Sequence, residues 1–360
     1  MASLTIHTGR ILDNIKKLDK HLAEHNIGWT LVTKLLNGHR PVLEKLIASD
    51  EIQQLHSVGD SRVSNLKVVK SINPDIRTMY IKPPAINQTA NVVRYADVSL
   101  NSSHKTIAAL NKAAREQDKQ HEIIVMIEMG ELREGVVRGN VMDFYERIFE
   151  MENIRVRGIG TNLGCMYGVE PTFDKLIQLS LYAHLIEAKF DVKMELVSGG
   201  SSITLPLISR KKVPAGINHF RIGDTAFFGK SLSTNKQFRD LSTTAFDFSA
   251  EILEIEEKEI VPDGEIGSAA IGQTAGVMED EDGQRSYRAL VDFGEIDVNA
   301  ANLALKDRSV QFAGSTSDMT VYDLGSKSGR YEVGSKLHFT PNYIAVARLM
   351  HSRYIDKLVR

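Results

Sequence analysis

The chain has 360 residues, with 44 Lys and Arg against 46 Asp and Glu and a formal net charge of −2, which excludes a strongly basic nucleic-acid footprint and a polybasic membrane anchor. Its 42% hydrophobic and 25% charged residues are those of a folded globular chain, and no run approaches the roughly 20 apolar residues of a membrane span. A single cysteine, Cys165, allows neither an internal disulfide nor a cysteine-cluster metal site.

The start from Met1 to His7 lacks a charged-then-apolar leader pattern, so the expectation is a soluble, cytoplasmic protein with no nucleic-acid or membrane partner. Residues 10–26 carry Ile11, Ile15, Leu18 and Leu22 at helical spacing. Trp29–Lys34 then reads as a strand, and Pro41 opens a helix through Ile47, because proline suits a first turn. Further strands are expected at Gln54–Val58, Arg77–Lys82, Asp97–Asn101, Glu122–Met129, Val156–Thr161, Met194–Ser198 and His219–Ile222, with helices near 62–70, 86–94, 104–117, 140–151 and 172–189. Eight short apolar strands alternating with helices have the arithmetic of a (β/α)₈ barrel. An open doubly wound sheet competes, but no early G-x-G-x-x-G supports a dinucleotide site.

After about residue 236 the texture changes. Phe246, Phe248, Ala250 and Ile252 alternate with Asp247, Ser249 and Glu251, a period-two pattern. More strands are expected at Arg288–Phe293, Val310–Ala313, Met319–Leu324 and Lys336–Phe339, punctuated by Gly267, Gly283, Gly314, Gly325 and Gly334. The acidic run at 279–282 reads as a solvated hairpin tip. The division is therefore an α/β barrel over 1–235 and a mostly-β domain over 236–360.

Active sites of such barrels gather where strands end. Lys34 stands at the end of the first strand, where a partly desolvated amine loses basicity and forms a Schiff base; a solvated strand-end lysine is the plain reading. Ser198-Gly199-Gly200-Ser201-Ser202 follows the seventh strand, where glycines admit an anion and hydroxyls donate to phosphate; a flexible turn is the alternative. Arg221 ends the eighth strand, either as a fixed cation or as the partner of Asp224. Together an amine, a phosphate loop and an arginine are what pyridoxal 5'-phosphate requires. His7, His56, His104 and His219 lack metal-ligand spacing, and no metal is expected.

On these residues the chain resembles the alanine racemase family, fold-type III pyridoxal phosphate enzymes, and within it the ornithine and lysine racemase branch. Thr33-Lys34 with Gly38-His39 is similar to the lysine motif, and Arg221-Ile222-Gly223 with Phe227-Phe228-Gly229 to the arginine motif at the ring nitrogen. Gly130-Glu131-Leu132-Arg133-Glu134-Gly135 resembles the segment whose arginine contacts the phenolic oxygen. Gly158–Cys165 resembles the ornithine racemase form of strand six, with Asn162 replacing a histidine. Gly314–Thr320 resembles a substrate-carboxylate segment, and Asn342-Tyr343 with Arg348-Leu349-Met350 the segment whose tyrosine reaches the phosphate.

The resemblance implies a cofactor held by Lys34, Arg133, Asn162, Gly200, Ser201, Ser202, Arg221 and Tyr343. It also implies a homodimer in which each second domain completes the partner's active site. Lys34 would move the α-proton on one ring face. The opposite-face tyrosine of alanine racemases is missing, since the matching segment is Gly294-Glu295-Ile296-Asp297-Val298; Glu295, Asp318, Cys165 or a water takes that place. The implied activity is racemisation of a polar or basic amino acid such as ornithine or lysine. Alternatives are an alanine or broad-specificity racemase, a D-amino-acid lyase, and a non-catalytic pyridoxal phosphate-binding protein.

Overall fold

The computed structural model describes residues 1–265, 272–274 and 284–360. Strand β1 (Ser3–Ile6) leads into helix α1 (Thr8–Ala23), whose Ile11, Ile15, Leu18 and Leu22 are all buried, as their spacing on one helical face requires. Eight strands then close into a parallel barrel in chain order: β2 (Gly28–Val32), β3 (Ser57–Asp60), β4 (Thr78–Tyr80), β5 (Val98–Asn101), β6 (His121–Met126), β7 (Ile154–Gly160), β8 (Leu196–Ser201) and β9 (His219–Ile222). The seam is β9 against β2, with Thr30 opposite Arg221. Helices α2 (Arg40–Ile47), α3 (Asp50–Gln53), α4 (Val63–Ile72), α5 (Thr89–Tyr95), α6 (His104–Glu116), α7 (Val141–Phe149), α8 (Phe173–Phe190), α9 (Leu205–Ser209) and α10 (Asp224–Phe228) fall between and after the strands. The expected closed barrel is therefore present.

Strand β3 is displaced from its expected place. A strand over Gln54–Val58 is expected there, but α3 takes residues up to Gln53 and the strand is Ser57–Asp60. Its sequence, Ser-Val-Gly-Asp, is too polar to advertise a strand, yet all four residues are buried. Ser57 is satisfied inside the barrel by Thr30, and Asp60 at the strand end by Arg62 and Asn65. Strand length is thus set by which polar residues find partners.

The second architecture is a nine-stranded, mostly antiparallel sheet formed by β1, β10 (Phe246–Glu259), β11 (Gln273–Thr274), β12 (Arg285–Val291), β13 (Leu303–Leu305), β14 (Gln311–Ser315), β15 (Thr320–Asp323), β16 (Lys336–Pro341) and β17 (Asp356–Val359), with helix α11 (Tyr343–His351) before the last strand. Strand β10 is its spine: it pairs with β1 and β16 in its first half and with β12 in its second, changing register at Ile252/Glu254. The alternation of Phe246, Phe248, Ala250 and Ile252 is the buried face. Phe248, Phe293, Tyr322 and Phe339 pack with ring centroids 5.4–6.5 Å apart, the offset and edge contacts that aromatic quadrupoles favour.

The chain divides into two compact units, Gly9–Thr243 and Met1–Thr8 with Thr244–Arg360. The boundary lies eight residues beyond the expected one (243 − 235), and the first eight residues belong to the sheet unit, because β1 is hydrogen-bonded between β10 and β17. The acidic run at 279–282, Gly267 and Gly283 lie outside the described residues. Among the described residues no helix is long and apolar enough to cross a membrane.

Phe339 touches three other rings of the sheet unit and is fully buried. Phe339→Ala is expected to lower the unfolding free energy by about 3–5 kcal/mol, read as an earlier urea midpoint for the sheet unit. An unchanged midpoint shows that the aromatic cluster does not hold this unit together.

Candidate active site

Five neighbouring strands of the barrel, β2, β9, β8, β7 and β6, carry the chemistry-bearing residues at their C-terminal ends. On β2 the sequence makes Lys34 the last strand residue, its amine either partly desolvated or simply solvated. The strand instead ends at Val32, and a single 3₁₀ turn, Lys34–Leu36, carries Lys34 out to solvent. Thr33 anchors that turn: its hydroxyl lies 3.2 Å from the Gly59 carbonyl and 3.3 Å from Asp60 Oδ2. Burial pushes the Asp60 carboxyl up from 3.8 to about 6, against the hydrogen bonds it accepts from Arg62, Asn65 and Thr33. The Lys34 amine has no hydrogen bond or ion pair to the described residues. The acid that feels its charge is Asp224, at the start of α10, whose carboxyl burial pushes up to about 6 while the cations of Lys230 and Lys34 pull it down.

Arg221 settles the choice that the sequence leaves open. It does not pair with Asp224. Its Nη2 donates to the Thr161 carbonyl at 2.6 Å, and its Nη1 to the Ser198 carbonyl at 3.0 Å and to the Ser198 hydroxyl. The guanidinium is buried, and burial lowers its pKa to about 10, with Glu134 raising it and Arg133 lowering it. A cation held by carbonyl dipoles, with no carboxylate ion pair among the described residues, keeps an unneutralised charge.

On β8, Ser201 stands opposite Arg221 in register. Gly200 has a packing reason of its own: a Cβ there would meet the Phe220 ring at 2.2 Å. Ser202 is buried and its hydroxyl accepts the Thr225 N–H at 3.3 Å, tying the end of β8 to α10; the Ser201 N–H donates to Thr204 Oγ1 at 3.2 Å. The ends of β8 and β9 are thus tied together, with Ser201 level with Arg221 and Ser202 holding the start of α10.

Past β6 and β7 the organising residues are two glutamates, quoted above in the arginine segment but given no role there. Glu131 is buried and accepts main-chain N–H groups from Cys165 (2.9 Å), Tyr167 (2.8 Å) and Val169 (2.8 Å). Burial works to raise its pKa, and these donors, with Met166, outweigh it and hold the carboxyl below the usual range. Glu134 accepts from Arg133 Nε at 2.9 Å and from Asn162 Nδ2 at 3.4 Å, so it joins two of the expected cofactor residues. Arg133 Nη1 also donates to Cys165 Sγ at 2.9 Å. Arg133 and Cys165 are exposed. In sequence these glutamates look like any charged loop; only the folded loop shows what they bind.

Glu295, Asp318 and Tyr343 belong to the sheet unit. The first two share one corner: Glu295 N–H donates to the Thr316 carbonyl at 3.0 Å and Ile296 N–H to that of Ser317 at 2.9 Å. Both Glu295 oxygens are engaged, by the Ser315 hydroxyl at 2.5 Å and the Asn299 amide at 3.0 Å, whereas Asp318 is exposed. Tyr343 opens α11, which Asn342 caps by accepting the Ala345 N–H at 2.9 Å. Among the described residues no group of three His, Cys, Asp or Glu stands ready to hold a metal ion.

The family described as "Alanine racemase, N-terminal domain" matches residues 6–231. An ornithine racemase of Acetoanaerobium sticklandii is 30% identical over 355 residues, 98% of each chain. A lysine racemase of Thermotoga maritima is 28% identical over 99% of this chain and 97% of its own. Among solved structures, an alanine racemase from Corynebacterium glutamicum superposes with TM-score 0.73 at 15% identity, covering 100% of this chain and 99% of the other. A D-threonine aldolase from Filomicrobium marinum gives 0.68 at 12%, covering 97% and 89%. These last two share the fold.

Two outcomes are expected. Glu131→Ala leaves loop amides without their acceptor, costs about 1–3 kcal/mol, and speeds modification of Cys165, the sole cysteine, by an aromatic disulfide reagent. Labelling at the wild-type rate shows the loop is held by something else. Because the folded Asp60 carboxyl titrates near 6 rather than 3.8, the folded state binds more protons than the unfolded one between those values. Its contribution to stability is therefore present below about pH 4 and lost as pH rises through about 6. Asp60→Asn removes that descent, and the difference between the two stability–pH curves measures it.

Proposed function

We propose, proceeding from the fact that this chain belongs to the alanine racemase family, that it is a pyridoxal 5'-phosphate-dependent racemase interconverting the L and D forms of a basic amino acid such as ornithine or lysine. The observation that carries this reading is Arg221: a buried cation fixed by two carbonyls, unpaired with any described carboxylate. Support for the cofactor comes from the residues around it. Among the described residues the amine of Lys34 has no partner, Ser201 stands level with buried Arg221 with Ser202 next to it, and Arg133 adds a second cation. Lys34 would hold the group covalently, Ser201, Ser202 and Tyr343 its phosphate, Arg221 its ring nitrogen and Arg133 its phenolic oxygen, with Gly200 and Asn162 lining it.

Once bound, pyridoxal phosphate supplies an aldehyde for the substrate amine and a ring that accepts the electrons left when the Cα–H bond breaks. The work of this chain is to move that proton and limit the lifetime of the charge. Lys34 takes or returns the proton at Cα on one face. Arg221 would oppose protonation of the ring nitrogen by like-charge repulsion, which would favour rapid return of the proton over other outcomes. Inversion needs a donor on the opposite face, and Glu295 and Asp318 are the acids proposed for it, from the partner subunit of a homodimer. The same pair of acids gives a distal ammonium a counter-charge. The unpaired Cys165 suits a reducing, cytoplasmic setting.

Loading the protein with pyridoxal phosphate should give a visible absorbance, and chiral chromatography should show L-ornithine or L-lysine losing optical purity with no new product. Lys34→Ala is expected to lose the absorbance and to cut racemisation by at least about 10²–10⁴-fold. Retained absorbance and rate in Lys34→Ala would falsify the anchor assignment. Glu295→Gln and Asp318→Asn divide the remaining question: a large fall in rate in one names the opposite-face acid, and wild-type rates in both dismiss the pair. A product other than the mirror-image amino acid points to a lyase instead.

A further inference from the structure

Behind Arg221 a row of polar side chains crosses the barrel interior. Ser198 Oγ, which the guanidinium touches, lies 2.8 Å from His219 Nδ1. His219 Nε2 lies 3.0 Å from Thr30 Oγ1, Thr30 Oγ1 lies 2.7 Å from Ser57 Oγ, and Ser57 Oγ lies 3.1 Å from His56 Nδ1. Ser198, His219 and Thr30 have no exposed surface, and Ser57 is 2% exposed. A barrel interior normally holds Val, Ile and Leu in this region, so closing the sheet does not call for such a row.

The direction of every hydrogen bond follows from one end. A guanidinium has donors only, so Ser198 Oγ accepts from Arg221 and its single proton must go to His219 Nδ1. His219 then carries its hydrogen on Nε2 and donates to Thr30. Thr30 in turn donates to Ser57, a better acceptor at 2.7 Å than the Met79 sulfur at 3.7 Å, and Ser57 donates to His56 Nδ1. All the bonds point away from Arg221, and aligned bonds in a low dielectric strengthen one another. A charged His219 would break the row, because both ring nitrogens would donate and the Ser198 proton would have nowhere to go but toward Arg221. The surroundings oppose that charge: burial lowers the His219 pKa well below its usual value, and His56, Arg221 and Arg77 lower it further. Burial, then Arg77 and Arg157, likewise holds His56 down to about 4.

We propose that His219, in the form with its hydrogen on Nε2, is a positioning residue: through Ser198 it fixes the one orientation in which Arg221 presents its charge at the barrel rim. The role assigned to Arg221 rests on the racemase reading above, whereas the polarity of the row does not.

Nitrogen-15 NMR of the imidazoles, recorded with and without pyridoxal phosphate, reads the His219 form directly. The expected result is a bare Nδ1 and a protonated Nε2 from pH 5 to pH 8. Thr30→Val removes the acceptor of the Nε2–H, should shift His219 toward the other form, and should lower kcat roughly tenfold to a hundredfold with KM and cofactor absorbance retained. Thr30→Ser restores both, which a purely structural contribution of Thr30 would not require. An imidazolium or an Nδ1–H form in a wild-type protein that racemises, or a wild-type kcat in Thr30→Val, overturns this inference alone. A wild-type protein that racemises no amino acid overturns the racemase reading and, with it, the role given to His219.

Discussion

The C-terminal end of the barrel is organised around the burial of one positive charge, Arg221. Taking a guanidinium out of water costs several kcal/mol, and among the described residues no carboxylate pairs with it, Glu134 favouring the charge only from a distance. The offset comes from dipoles: the Thr161 carbonyl on one side, the Ser198 carbonyl and hydroxyl on the other, each at hydrogen-bond distance. Thr161 follows β7, Ser198 lies within β8 and Arg221 within β9, so the charge can be satisfied only when three strands close in register. The interaction that prepares the site is therefore also one that specifies the register of β7, β8 and β9.

The same logic runs outward from Arg221. Its donors meet Ser198, Ser198 meets His219, and the row continues from β9 to Thr30 on β2 and Ser57 on β3. Apolar packing fills the other side of the interior, where Met79, Val98, Leu100, Ile124, Met126 and Leu196 form one cluster. A half-polar, half-apolar interior gives orientation on one side and cohesion on the other. The polar half tolerates little substitution, because each hydroxyl serves two neighbours and an orphaned partner in a dry interior costs its full desolvation.

The rim loops achieve order differently. Acids gather main-chain N–H groups there: Glu131 takes the loop after β7, while Glu128 accepts from Gly130 at 2.6 Å and Leu132 at 2.9 Å. Irregular backbone has unsatisfied donors by construction, and a carboxylate with two oxygens can collect several of them. This leaves Arg133 and Asn162 on one shared carboxylate, Glu134, rather than on separate supports. In the sheet unit the ordering agent is aromatic packing around β10, an apolar counterpart to the same problem.

Periodicity in the sequence determined seven of the eight barrel strands, the amphipathic α1 and the alternating β10, because each pattern reports a local period and which face is buried. Local chemistry also made Lys34, the Ser198–Ser202 run and Arg221 stand out at strand ends. Tertiary structure decided the rest. Ser57–Asp60 is a strand only because its polar side chains find partners from β2 and α4. Ser3–Ile6 joins the sheet unit only because a strand 240 to 246 residues away lies beside it, a pairing no local window contains. Gly200 is glycine because of the Phe220 ring, and Glu131 matters because of a loop 34 to 38 residues downstream. Sequence period and spacing say which residues face together, whereas partner, burial and charge compensation exist only once distant segments meet.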